Sequence, residues 1–306
     1  MQKRQSEQLG LVDGFVSVRP SFLSEVDALI DWSPVQASLM GIYDSPKGRP
    51  SYPLLAMFKT LLLQQWYGLS DAGMEEALAD RVSFRRFVGL GLADAVPDHT
   101  TICRFRAQAG KHMENLMAVL NEQFERKGLI VKQGTLMDAS FVKACSGKRN
   151  IDPEAGRFGQ NKDERVSGYK AHVGVDQDSG IVRRVVVTPA NVNDTVVADA
   201  LVMGDEKAVY ADKAYDSRAR RQHLDERGVF VGIMHRPNRR PLTEEQTAFN
   251  KSVGKVRASV ERVFAVMKQH YALRRTRYRG LARATTQIYM AMMAMNLKRA
   301  VVLAHT

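Results

Sequence analysis

Cysteine is nearly missing from this chain. Cys103 and Cys145 are its two, no CxxC pair occurs, and neither a disulfide framework nor a cysteine-based zinc site is available. Long apolar runs are missing too: no stretch approaches the ~20 continuous apolar residues of a bilayer crossing. The opening MQKRQSEQLG lacks the apolar core of a secretory signal. A soluble, cytoplasmic protein in a reducing compartment is the expectation. There is no GxxxxGK[ST] loop, which argues against a P-loop engine and a nucleotide cofactor. The seven histidines show no HxxxH or HExxH spacing, so a zinc hydrolase is not indicated.

Acid is the scarcer charge. The 306 residues hold 45 Lys and Arg against 33 Asp and Glu, a net charge of +12. The excess is concentrated: residues 235–279 carry twelve Lys and Arg and only Glu244, Glu245 and Glu261 as acids. Interleaved with them are Tyr271, Tyr278 and His270, a mixture that attracts a phosphate backbone by counterion release. A solvated helix face is the plainer alternative, and RRTRYRG at 274–280 favours nucleic acid over it.

The first ~130 residues carry helix signals, and the length suits roughly two domains. Ser51 before Tyr52-Pro53 is the expected cap of a helix with Leu55, Phe58, Leu62 and Trp66 at helical spacing, stopped by Gly68. Ser70, Ser83 and Asp98 are expected to cap further helices, and a last one closes on Gly128. Short helices bearing Arg81, Arg85, Arg86, Arg104 and Arg106 suit a helix-turn-helix reader of DNA, or a bundle that carries arginines for solubility.

After Gly128 the pattern changes. Residues 134–142, 169–176, 181–188 and 207–212 are expected as strands, the middle two forming a hairpin about QDSG. Helices are expected at about 195–203, 216–227, 243–275 and 284–303. The polar stretch 143–168 is long enough for a functional loop or a locally disordered one.

Three acids stand out. Asp138 lies inside an apolar strand, where a lone carboxylate disfavours the fold unless it is paired. Asp212 ends the strand AVYAD, at the edge where α/β sheets usually place chemistry. Glu261 sits in the long basic helix. Singly, each also has a plain explanation: a turn cap, a helix start, or an ion pair with Arg257 one turn back. In the helix, Val253, Val256, Val260, Val263 and Met267 form one apolar stripe. At 3.6 residues per turn, Arg257 lies about 40° and Lys268 about 20° from the direction of Glu261, so the three share a face. An acid between two cations can be held by a divalent metal while its neighbours grip phosphates; a surface salt bridge worth ~0–1 kcal/mol is the plain reading. Carboxylates from separate elements suit a hard cation such as Mg²⁺, and two ions could activate a water or a 3′-hydroxyl for in-line phosphoryl transfer.

Asp138 in TLMDAS, Asp212 in YADKAYDS and Glu261 in RASVERVFAVMKQHYALRR resemble, in that order, the DDE transposases of bacterial insertion sequences. The similar branch is the one typified by insertion sequence five and related to insertion sequence four. Its Tyr-x2-Arg-x3-Glu-x6-Lys signature is matched by Arg257, Glu261 and Lys268, with Gly254 at the tyrosine position. GYKAHVGVDQDSG, VTPANVNDT and PDHTTICRFR also look like stretches of that family. The resemblance implies an α/β RNase H-like catalytic domain, a mixed sheet flanked by helices, over 131–306, preceded by an all-α DNA-binding region over 1–130. It implies Asp138, Asp212 and Glu261 as catalytic and metal-binding residues, with two Mg²⁺ or Mn²⁺ ions. It implies double-stranded DNA as partner, both the transposon's terminal inverted repeats and a target, and a homodimer or larger assembly. Phosphates are expected at Arg257, Lys268, Arg274, Arg275, Arg104 and Arg106. The reaction implied is strand cleavage followed by 3′-hydroxyl strand transfer. Two rivals are a nuclease or resolvase that cuts without joining and an inactive DNA-binding descendant. His172 is expected as a hydrogen-bonded structural residue rather than a DNA or metal contact, and Asn191 and Asp194 as a turn and helix cap, with a substrate-side role as the lesser alternative.

Overall fold

Local capping accounts for most helix starts. The computed structural model describes residues 21–42, 51–145, 151–158, 166–237 and 241–306. The chain divides into two units, one of Met1–Gln123 with Met293–Thr306 and one of Phe124–Met292.

In the first unit the described elements are helices: α1 (Phe22–Leu29), α2 (Trp32–Ser38), α3 (Leu54–Tyr67), α4 (Asp71–Asp80), α5 (Val82–Val88), α6 (His99–Ala109) and most of α7 (Met113–Arg126). Ser70 accepts from the Gly73 amide and Asp98 from the Thr101 amide, the N-cap bonds expected of those residues. Two expected caps differ. α3 starts after Pro53 with no side-chain cap, because proline fixes the first turn by itself. α5 starts at Val82, with Arg81 in the cap position, which leaves Ser83 inside the helix. Phe58, Leu61, Leu62, Met74, Phe84 and Phe105 are buried among these helices.

The second unit is built on a mixed sheet: β1 (Thr135–Lys143), β2 (Gly156–Phe158), β3 (Val166–Asp176), β4 (Val182–Pro189), β5 (Ala208–Ala211) and β6 (Phe230–Ile233). The strand order is β2-β3-β1-β5-β6, with β4 also paired to β3. β3 runs antiparallel to β1, β2 and β4, while β5 is parallel to both β1 and β6. Around the sheet lie α8 (Asp194–Val197), α9 (Arg218–Glu226), α10 (Glu244–His270) and the first half of α11 (Leu281–Ala304). This mixed sheet with flanking helices is the RNase H-like arrangement that the resemblance implies.

Alternation along the strands separates two faces. Met137, Val209 and Ala211 enter a core with Leu201, Tyr215, Leu224 and Ile233. Asp138 therefore faces the opposite side, where α10 packs against β1 and β5. α10 begins with a capping box between Thr243 and Gln246. It buries Val253, Val260, Val263 and Met267 of the expected stripe, while Val256 is half-buried.

Four elements differ from expectation. β2 and β6 are short strands with no strong alternation of their own. The helix expected at 195–203 is one α turn continued by a 3₁₀ turn, Ala198–Leu201. The helix expected to reach 275 stops at His270, and Ala272 takes a left-handed φ of 53°. No proline or glycine stops it; the backbone beyond pairs instead with the end of β1, through Lys143 N to Arg274 O at 3.0 Å and Thr276 N to Lys143 O at 2.8 Å. Of the polar stretch 143–168, residues 146–150 and 159–165 lie outside the described residues.

Candidate active site

Register brings the two aspartates side by side. Met137 pairs with Ala211 across parallel β1 and β5, so Asp138 and Asp212 are the next residues of neighbouring strands, at a spacing of about 4.8 Å. β5 ends at Ala211. Asp212 then opens a short 3₁₀ turn, Lys213–Tyr215, and its carbonyl accepts from the Tyr215 amide at 2.9 Å.

Arg257 of α10 reaches both carboxylates. Its Nη2 donates to Asp138 Oδ2 at 3.0 Å, and its Nη1 lies 4.0 Å from Asp212 Oδ1. Asp138 Oδ1 accepts from the Ala139 amide at 2.8 Å. Burial nevertheless pushes the Asp138 carboxyl above its usual range, outweighing Arg257 and the amide, while Asp212 and Asp194 add to the upward push. The other nitrogen of this guanidinium group, Nε, is buried without a hydrogen-bond partner among the described residues.

Glu261 lies one helical turn beyond Arg257 and is exposed. It forms neither the ion pair with Arg257 that the plain reading offered nor a shared group with the aspartates. Among the described residues, no three His, Cys, Asp or Glu side chains are gathered closely enough to hold a metal ion. The structure thus brings Asp138, Asp212 and Arg257 together and leaves Glu261 outside that group, exposed one turn from Arg257 on α10.

Of the other expected phosphate contacts, Lys268 is half-buried on α10. Arg274 and Arg275 are exposed on the segment that pairs with the end of β1, Arg275 bridging to Lys143. Arg104 is exposed on α6. Arg106 is a correction: it is 7% exposed, and its guanidinium bonds Asp71 and Gln64 within the helical unit, so it has no face to offer DNA. It sits on the apolar side of α6, beside buried Phe105 and Ile102, where an arginine persists only if paired.

Two further groups lie near the aspartates, one of them differing from its expected capping role and one that the sequence did not single out. The cap of α8 is Asn193, which accepts from the Thr195 amide, so Asp194 is released from capping and pairs with Lys170 Nζ at 2.7 Å. Its charge reaches Asp138, Tyr215 and His172. Tyr215 is 1% exposed, and its hydroxyl has no hydrogen-bond partner among the described residues. Nothing in YADKAYDS distinguishes this tyrosine from a core residue. His172 is fully buried, bonded through Nε2 to Thr188 Oγ1 at 2.9 Å, and burial pulls its pKa down to about 4. That is the structural role expected of it.

Residues 130–297 match a family model described as a transposase DDE domain, and residues 11–108 match one described as a transposase domain (DUF772). Among solved structures, the chain is similar to a Mos1 transposase paired-end complex with left transposon end. The identity is 13%, 85% of this chain and 92% of that chain are covered, and the TM-score is 0.23. It is also similar to a pre-cleavage Mos1 transpososome, at 12% identity, with 96% of this chain and 90% of that chain covered and a TM-score of 0.22.

Proposed function

Since the chain belongs to the transposase DDE domain family, whose model matches more than half of it, and is a DDE transposase of the insertion-sequence type, we propose that it cuts DNA at transposon ends and joins the freed 3′-hydroxyls to a target, with Asp138, Asp212 and Glu261 as its catalytic acids. The observation that carries this reading is the pair Asp138, on β1, and Asp212, the residue that follows β5 on the parallel neighbour, sharing one cation, Arg257. The spacing of Arg257, Glu261 and Lys268 supports the branch typified by insertion sequence five.

DDE transposases generally use divalent metal ions. Asp138 and Asp212 suit such an ion in kind, as hard oxygen donors already converging on a positive charge. Glu261 would be the third donor, one turn from Arg257. A bound ion would activate the attacking oxygen and offset charge on the leaving one. The protein's own groups do the rest. Arg257 keeps two neighbouring carboxylates from repelling one another and sets a positive charge where a phosphate would approach them. Lys268, Arg274 and Arg275 continue the positive surface past the end of β1 and neutralise the backbone that crosses it. Arg104 contributes phosphate contact from the helical unit, which recognises the terminal repeats. Two or more copies acting on paired ends complete the assembly.

The test is an incubation of the protein with a plasmid carrying its gene and flanking DNA, a second target plasmid, and Mg²⁺. Excised ends and joined products are expected. Cut ends that never join would reduce the activity to a nuclease, and intact plasmid would overturn the reading.

A further inference from the structure

Arg257 spans two carboxylates on one full bond. A guanidinium carries several N–H donors, and the described residues give this one a single hydrogen bond of ordinary length, Nη2 to Asp138 Oδ2 at 3.0 Å. Nη1 stands 4.0 Å from Asp212 Oδ1, and Nε has no hydrogen-bond partner among the described residues. One bond leaves the group free to turn about it, so its aim across the pair depends on what packs against it.

Met234 packs against it. Its Sδ lies 3.9 Å from Arg257 Nη1, the soft contact a thioether makes where it fills an irregular gap. Ile233 pairs with Ala211, so Met234 follows β6 as Asp212 follows the parallel β5. The backbone here is pinned from three sides. The Met234 amide donates to Ala211 O at 3.0 Å, and Arg221 Nη2 donates to Ile233 O at 2.7 Å. Asn250 of α10 accepts from the His235 amide at 2.8 Å and donates to the His235 carbonyl at 3.1 Å. The thioether therefore reaches Arg257 from a fixed origin.

Gly254 makes the room. It is the one departure from the signature that Arg257, Glu261 and Lys268 match, and its backbone is helical, so no left-handed turn calls for glycine. In mid-helix a glycine weakens α10 relative to alanine. A Cβ on Gly254 would stand 3.3 Å from Met234 Cε, tighter than ordinary van der Waals contact. The bare stretch of helix one turn before Arg257 is the recess in which the Met234 methyl lies.

Resting on the transposase reading above, we propose that Met234 is a positioning residue: lodged over Gly254, it holds the Arg257 guanidinium turned toward Asp138 and Asp212, so that the cation is in place when DNA enters. It acts through Arg257 alone.

The test compares Met234→Ala, Met234→Leu, Gly254→Leu and Asp138→Asn with wild type on the plasmid carrying the gene and its flanks, with Mg²⁺, below the melting temperature of every variant. M234A empties the recess. At saturating DNA its single-turnover nicking is expected to slow by about 10- to 100-fold, the effect of a misplaced group in the site, while its affinity for end DNA matches wild type. M234L refills the volume and is expected to recover most of the rate. G254L fills the recess from the helix side with a good helix former, so it keeps α10 while displacing Met234, and it is expected to slow nicking as M234A does. Wild-type nicking by M234A or G254L while D138N is inert would overturn the Met234 assignment and leave the transposase reading standing. A loss in M234A that M234L does not recover, or that vanishes at saturating DNA, would do the same. Absence of nicking by the wild-type protein would instead strike the transposase reading, and this inference with it.

Discussion

Arg257 Nη2 and Asp138 Oδ2 meet at 3.0 Å although 119 positions separate them in the chain. Their bond ties the centre of β1 to α10 and supplies the charge that a half-buried carboxylate in an apolar strand requires. It does not supply enough: burial still lifts the Asp138 carboxyl above the usual range.

Asp138 therefore destabilises the fold for the sake of the site. Its folded pKa exceeds its unfolded one, so the folded state holds the proton more tightly, and stability falls as pH rises from the ordinary carboxylate range through the raised value. Asp138→Asn is expected to melt above wild type at neutral pH, on the order of 2–4 °C for each ~1 kcal/mol relieved. The gain should shrink as pH drops through that window. Thermal melts between acid and neutral pH check this, and a lower melting temperature for D138N at neutral pH would contradict it.

His172 gives the opposite slope. Its folded pKa is about 4, below the ordinary 6.5, so the neutral ring's contribution is present above 6.5 and lost as pH falls toward 4. His172→Gln, which keeps a polar group for Thr188, is expected to flatten that acid-side loss, worth at most on the order of 3 kcal/mol. Urea midpoints at pH 7 and pH 4.5 read the difference, and an unchanged slope would exclude His172 as its source.

Arg104 and Arg106 differ by two residues and in consequence. Arg106→Ala strands Asp71 and Gln64 in the helical unit and is expected to cost about 3 kcal/mol of stability. Arg104→Ala is expected to leave the melt unchanged and to weaken DNA binding. Paired melts and binding curves separate the two, and equal melts would contradict the buried network.

These cases show what was legible beforehand. The strand that carries Asp138 and the one that ends just before Asp212 announce themselves by alternation and by a misplaced acid, and the apolar stripe of α10 by its period. β6 is invisible alone because four residues, Phe230–Ile233, acquire strand character only from the parallel edge of β5. The end of α10 is equally non-local, decided by the backbone of Lys143 rather than by any stop residue. Arg106 escapes because an arginine's neighbours in sequence do not reveal whether an aspartate waits across the packing. Asp194 and Tyr215 need three dimensions: one lost its capping role to Asn193, and the other is distinguished only by an unmet hydroxyl.

Lys268 has a purely electrostatic part. Lys268→Ala is expected to weaken binding to end DNA and unrelated DNA alike, and to reduce the slope of log affinity against log salt by about 0.9, one phosphate contact. Titrations at four salt concentrations measure it. A loss confined to end DNA would make Lys268 a reader of sequence instead.

The most direct measurement is single-turnover nicking by Asp138→Asn, Asp212→Asn and Glu261→Gln, with Glu244→Gln from the far end of the same helix as control, all at saturating end DNA with Mg²⁺. The three-acid account predicts that the first three fall to background while binding persists, and that E244Q cuts as wild type does. Wild-type cutting by any of the first three, with Glu261 the most exposed to this test, would contradict it.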